Sequence, residues 1–245
     1  MRRGWHGGAG CARAADRPRH KRLVPSGGER TGRRARDPDP GTGPAALSMP
    51  RMPTDRAFSR RAGFQAYLIA AFSLVYAVVF LGFVRNHPEN IQAAALAWAL
   101  IAGAGLSATI ATTSAAARVG GDARWWLTAL GVGYGLLSAA HGTFAAIAVE
   151  QGIAATDLSP TDPRGLATFG LAGLWALTLG LETVAGNGAL PRNLGWLAIV
   201  GGLDLIVLFI ATVAASENLI LVSGGLASVI LVPAFWIWTG RVLRG

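Results

Sequence analysis

The sequence predicts an all-α, polytopic membrane protein: a bundle of six transmembrane helices preceded by a disordered basic tail. Three observations carry this expectation. Six stretches are long, apolar and almost free of charge. Mean hydropathy is +0.42 even with a polar tail included. Arginine and tryptophan gather at alternate ends of the stretches, as they do at the two faces of a membrane.

A helix needs about 20 residues to cross ~30 Å of hydrocarbon. Stretches 64–84, 91–117, 125–149 and 219–240 contain no Asp, Glu, Lys or Arg. Stretch 165–185 carries only Glu182, and 194–215 only Asp204. The connections read as turns. "RNHPEN" puts Pro88 just ahead of the second span. "SPTDPRG" offers Thr161 or Asp162 as N-cap, with Pro163 as the first helical residue. "GNGALPRNLGW" repeats that device around Pro191. The connection 150–164 is the longest and holds Glu150, Asp157 and Asp162, which makes it the candidate for an external lid. No repeat relates the first three spans to the last three, so an inverted-repeat transporter is unsupported.

Small residues punctuate the spans: "AGAGLSA", "GVGYG", "GLAGLWALTLG", "SGGLAS". In lipid such residues let helices approach closely, within a chain or in a homo-oligomer. "GVGYG" is not a phosphate loop, because it lies inside an apolar span with no strand before it.

Orientation follows from arginine. Arg118, Arg124, Arg192, Arg241 and Arg244 fall on one side, and Arg85 and Arg164 on the other. The positive-inside rule makes the first side cytoplasmic, with both termini, in a multi-pass protein of the cell membrane. Trp125, Trp126, Trp196, Trp236 and Trp238 fall toward the same side, where an indole can be half wet.

The net charge of +9 belongs to the tail. Residues 1–63 hold 15 of the 22 Lys and Arg and 5 of the 13 acids, a net of +10, against −1 for the remainder. Residues 1–62 are rich in Arg, Gly and Pro and lack apolar periodicity, so they are expected to be disordered. They could touch anionic lipid; no specific nucleic-acid binding is expected. Translation could truly begin at Met49 or Met52. The membrane domain is then 63–245.

Several chemistries are excluded. Cys11 is the only cysteine, so no intrachain disulfide forms. The only lysine, Lys21, lies in the tail, so no span offers a Schiff base. One histidine, His141, lies within the spans, too few for paired haem ligands or a three-His zinc site. No H-E-x-x-H or G-x-S-x-G occurs. No cofactor, metal or catalytic residue is expected.

"ALPRNLGWLAIVGGLDLIVLF", "SRRAGFQAYLIAAFSLVYAVVF" and "LVPAFWIWTGRVLRG" resemble segments of a family of small bacterial membrane proteins with no assigned activity. In that family a Leu-Pro-Arg-x-Leu-Gly-Trp loop leads into the fifth of six helices. The resemblance spans residues 59–244 and implies a six-helix bundle. It brings no catalytic residues.

The intramembrane polar residues are the candidates for function. A central carboxylate costs about 2.5–3.5 kcal/mol on insertion scales. Twelve Leu, Ile, Val and Phe residues in its span offset that cost for Asp204. His141 shares a face with Tyr134 and Ser138, and Glu182 with Thr178 and Trp175. If the faces converge, Glu182, Asp204 and His141 form a ladder across the membrane, with Thr109, Thr112 and Thr113 beside its inner half. Such a ladder could carry protons or cations. Alternatively, Asp204 is polar glue, hydrogen-bonded across a helix interface. The expected role is structural, sensory or accessory. The alternatives are a small-solute or proton-coupled carrier using Asp204 and His141, and an intramembrane enzyme.

Removing residues 1–48 should leave insertion and stability unchanged, since that tail has no core to contribute. Fractionation and thermal unfolding of the truncated chain check this; loss from the membrane fraction would contradict it.

Overall fold

The computed structural model describes residues 54–153 and 162–245. Residues 1–53, including both alternative starts, and Asp157 and Thr161 of the long connection lie outside the described residues. Helix α1 (Thr54–Val79) runs into a π-helical turn, Phe80–Val84. Then come α2 (Ile91–Ala116), α3 (Ala123–Glu150), a 3₁₀ turn (Pro163–Gly165), α4 (Leu166–Val184) and α5 (Arg192–Val213). The last rod is α6 (Glu217–Leu226), a second π-helical turn (Ala227–Leu231) and α7 (Val232–Arg244). Six helices are therefore long and apolar enough to cross a membrane. Among the described residues there is no strand, and large aliphatics such as Val78, Leu106, Val213 and Val222 face outward. Such a surface suits lipid, not water, and the chain is a multi-pass membrane protein.

The helix ends have local causes. Asn90 Oδ1 accepts the Ala93 N–H (3.0 Å) and caps α2. Gly152 and Gly186, both left-handed, end α3 and α4; the next amides, Ile153 and Asn187, reach back to Ala148 and Glu182 carbonyls (2.8 and 3.0 Å). After α5 the same motif falls on Ala215, at φ 50°. There a Cβ adds strain that glycine would not.

Helix α1 starts ten residues before the predicted span, so residues 54–62 are helical although composition places them in the tail. The reason is tertiary. Ala62 is fully buried, and Ser59 Oγ donates to the Leu243 carbonyl (2.8 Å) and accepts from Arg118 (2.9 Å). The first turns of α1 are thus tied to the ends of α7 and α2. At this end, the terminal end, backbone bonds Gly120 N–H to Asn187 O (2.7 Å) and Ala189 N–H to Arg118 O (2.8 Å) join two loops.

The spans pack in sequence order, and the order closes because α7 returns to α1. Three pairs meet backbone to backbone through glycine. A methyl at Gly105 on α2 would lie 2.5 Å from the Ala139 amide nitrogen and 2.7 Å from the Gly135 carbonyl of α3. One at Gly180 on α4 would lie 2.7 Å from the Gly195 carbonyl of α5, and one at Gly202 2.9 Å from the Gly173 carbonyl. Gly63 of α1 and Gly240 of α7 oppose each other at 2.9 Å in the same sense. Most of the small-residue runs of the sequence therefore serve contacts inside the chain, whereas Gly224 and Gly225 of "SGGLAS" leave open space.

The second π-helical turn follows from Pro233. The Val232 N–H bonds to the Ala227 carbonyl, five residues back. In that register the Ser228 carbonyl would need the amide of residue 233, and proline has none. An unpaired carbonyl in hydrocarbon is costly. Ser73 Oγ of α1 supplies the donor at 2.9 Å.

Packing is uneven along the bundle. Toward the terminal end, Ala66, Ala108, Ala111, Leu127, Leu179 and Leu194 form a continuous core with Trp175 and Trp236. Toward the far end α2 and α3 stay in close contact at Gly142, but the bundle as a whole leaves a cavity between its helices.

Gly105→Ala should cost about 1–3 kcal/mol, because its methyl meets backbone that cannot yield. Gly225→Ala, with nothing within 4 Å of the added carbon, should be neutral or mildly stabilising. Thermal unfolding in detergent compares them, and equal effects would mean the α2–α3 contact is looser than described.

Candidate functional site

The far half of the bundle holds a partly open cavity of about 480 Å³ lined from all six spans. That lies within the usual ~300–1,000 Å³ of small-molecule sites. Its walls are apolar: Phe72 and Tyr76 of α1, Phe80 of the π-helical turn after it, Trp98 and Ile101 of α2, Phe169 of α4, and Leu205 and Leu208 of α5 are among them. Its floor is aromatic. Trp175 of α4 stacks on Trp236 of α7 (5.6 Å, 13°), and Phe235 meets both edge-on at 5.9 and 5.0 Å. Tyr134 lies 6.5 Å from Trp175. Gly201 of α5 lines the cavity with nothing within 4 Å of where a Cβ would stand.

The mouth is built by the start of α4. Asp162 is 1% exposed. Its carboxylate accepts the Ala167 N–H (2.6 Å), the Thr168 N–H (3.0 Å) and the Thr168 hydroxyl (2.5 Å). Asp162 therefore caps α4 across the 3₁₀ turn, as the sequence suggested, though α4 starts at Leu166 and not at Pro163. The turn between them is left-handed at two successive residues, Arg164 (φ 57°) and Gly165 (φ 71°). Glycine takes that conformation freely; arginine does so at a cost. Arg164 lines the cavity mouth. It precedes the first turn of α4, and from Leu166 to Trp175 the helix rises roughly 14 Å at 1.5 Å per residue.

The polar candidates do not share one setting. His141 is buried, with its ring 5.2 Å from and edge-on to Trp98 and its Nε2 beside Gly165; its Nδ1 has no partner among the described residues. Asp204 faces α6 instead. Ser223 Oγ lies 2.9 Å from both Asp204 Oδ1 and the Asp204 carbonyl, and Oδ2 has no partner among the described residues. Glu182 reaches the terminal end, where Asn187 Nδ2 donates to it (2.8 Å). Each thus has its own neighbours. Tyr134 and Ser138 line the cavity; Thr178 is half-buried and does not. Thr109, Thr112 and Thr113 bond back to carbonyls of their own helix at 2.6–2.7 Å. Among the described residues no cluster of three His, Cys, Asp or Glu could hold a metal.

Sequence reasoning followed charge and missed the cavity. The signal present was Trp175, an indole at mid-span and not at an interface. Trp236 needs correcting on the same ground: it is 3% exposed, whereas Trp125 and Trp126 are 72% and 58% exposed as interfacial residues are.

Asp204→Asn should be mild, since an amide still pairs with Ser223. Ser223→Ala should cost about 1–3 kcal/mol by stranding the acid. The double variant should be less damaged than the two losses added. Thermal unfolding of the four proteins reads this, and strict additivity would refute the pairing.

No known protein family, characterised protein or solved structure matches the chain, so the resemblance to the bacterial six-helix family rests on its quoted motifs alone.

Proposed function

We propose that this chain is a binding protein of the cell membrane, with a sensory or accessory role, that takes a small, mainly apolar molecule into the far half of its bundle. The observation behind this reading is the 480 Å³ cavity above a packed aromatic floor. A bundle needed only for structure gains nothing from a void, because unfilled space forfeits packing. The lining supports an apolar occupant, since Ser73, Tyr76, Tyr134, Ser138, Arg164, Thr168, Thr212 and Ser228 are set in an otherwise aliphatic and aromatic surface.

Orientation enters the same proposal. Arg118, Arg124, Arg192, Arg241 and Arg244 lie at the terminal end, as do Arg60 and Arg61, against Arg85 and Arg164 at the far end. By the positive-inside rule the terminal end is cytoplasmic and the cavity belongs to the outer leaflet. A proton-coupled carrier is less favoured. Asp204 does not line the cavity and is engaged by Ser223, while His141, beside Trp98 and Gly165, is not among the lining residues.

A thermal-shift screen of the purified full chain with decanol, geraniol and naphthalene tests the reading. At least one should raise Tm in wild type and in Asp204→Asn, because a ligand of the folded state stabilises it. Gly201→Phe, which fills the cavity, should abolish the shift. A wild type that responds to none, or a Gly201→Phe that responds equally, would overturn the proposal.

A further inference from the structure

The cavity has a side as well as a mouth. Helix α6 packs on α5, where Ser223 meets Asp204, but it makes little contact with α1; α1 is met only from the π-helical turn onward. The lower limit of this gap is the Ser73–Ser228 hydrogen bond at 2.9 Å. Above that bond, Tyr76 on α1, Phe80 on the π-helical turn that follows it, and Ile220 and Gly224 on α6 border the gap, and all four also line the cavity; Phe72, one residue below the bond, lies against Gly103 of α2. The outer faces beside them carry exposed Leu74, Val75, Leu221 and Val222, which is a lipid-facing surface. The gap thus joins the cavity to the hydrocarbon of the far leaflet.

Helix α6 is also built to move. It is tied at its base by a π-helical turn, where the regular ladder is interrupted before Pro233. Its top follows the strained Ala215 turn. Gly224 and Gly225 leave space around it, with only Leu208 near the first and nothing near the second. The Asp204–Ser223 pair is the polar tie holding it to α5.

The mouth adds charge. Arg164 stands at the far end of the bundle, just before α4, in a conformation that glycine would occupy without strain. Among the residues that line the cavity, Arg164 is the cationic one.

Building on the binding role proposed above, we propose that the occupant is a membrane amphiphile with an anionic head: its chain slides from the far leaflet between α1 and α6 into the cavity, and its head group rests at Arg164. The apolar lining takes the chain, the guanidinium takes the phosphate, and α6 swings on its π-helical base to admit it.

The test uses the full chain reconstituted in phosphatidylcholine vesicles with or without phosphatidylglycerol. Lipid retained after gentle extraction is counted by native mass spectrometry, and loading is timed with a chain-labelled phosphatidylglycerol. Wild type should retain one lipid per chain and prefer phosphatidylglycerol. Arg164→Gly, which suits the left-handed backbone, should keep a lipid but lose the preference. Gly224→Trp, or Ile220→Trp should the first misfold, should load about tenfold more slowly, as a blocked gate does. Ser223→Ala should load faster. Inorganic phosphate alone should not compete. Gly201→Phe should retain none; if it retains lipid as wild type does, the cavity is not the site and the binding role falls as well. If Gly201→Phe is empty but both tryptophan variants load at the wild-type rate, lateral access alone is overturned. Equal retention of the two lipids by wild type, or competition by free phosphate, overturns the amphiphile with an anionic head.

Discussion

Close approach of backbones at glycine is the constraint on which this fold rests. Within a bilayer, apolar side chains gain nothing by leaving lipid for protein, so helices must find another reason to associate. Here Gly105 against Ala139, Gly180 against Gly195, Gly202 against Gly173, and Gly63 against Gly240 bring main chains to distances where Cα–H groups meet carbonyl oxygens. The contacts fix helix pairs, α2 with α3, α4 with α5, and α1 with α7. The remaining contacts close the pairs into a cycle.

That pairing explains where the bundle is solid and where it is hollow. Toward the terminal end the pairs are drawn together by Ala66, Ala108, Leu127 and Leu194 and by the ties among Ser59, Arg118 and Leu243. Toward the far end, α6 stays packed on α5 but parts from α1 beyond the Ala227–Leu231 turn, and the glycine contacts between α7 and α1 have no counterpart there. The aromatic layer of Trp175, Phe235 and Trp236 marks the boundary. One proline therefore shapes the last span into a fixed lower rod and a separate upper one.

The six spans were legible because hydropathy and length depend on local composition. The α1 start was not, since residues 54–62 are held by Ser59 and Ala62 against a helix 180 residues further on. The candidate site was half legible. Helical spacing placed Tyr134 and Ser138 on one face correctly, and both line the cavity. It could not say which helix each polar face would meet. Asp204 met Ser223, His141 met Trp98, and Glu182 met its own loop. Apolar cavities leave little trace in sequence, because their lining residues are the same types that pack a core. Arg164 was read as a loop charge because its backbone angle is a tertiary property.

The one-sided cavity has a mechanical consequence. Compression acts on unfilled volume, and here that volume lies mainly in the far half of the bundle. Under the same lateral pressure the hollow half would therefore yield further than the packed half.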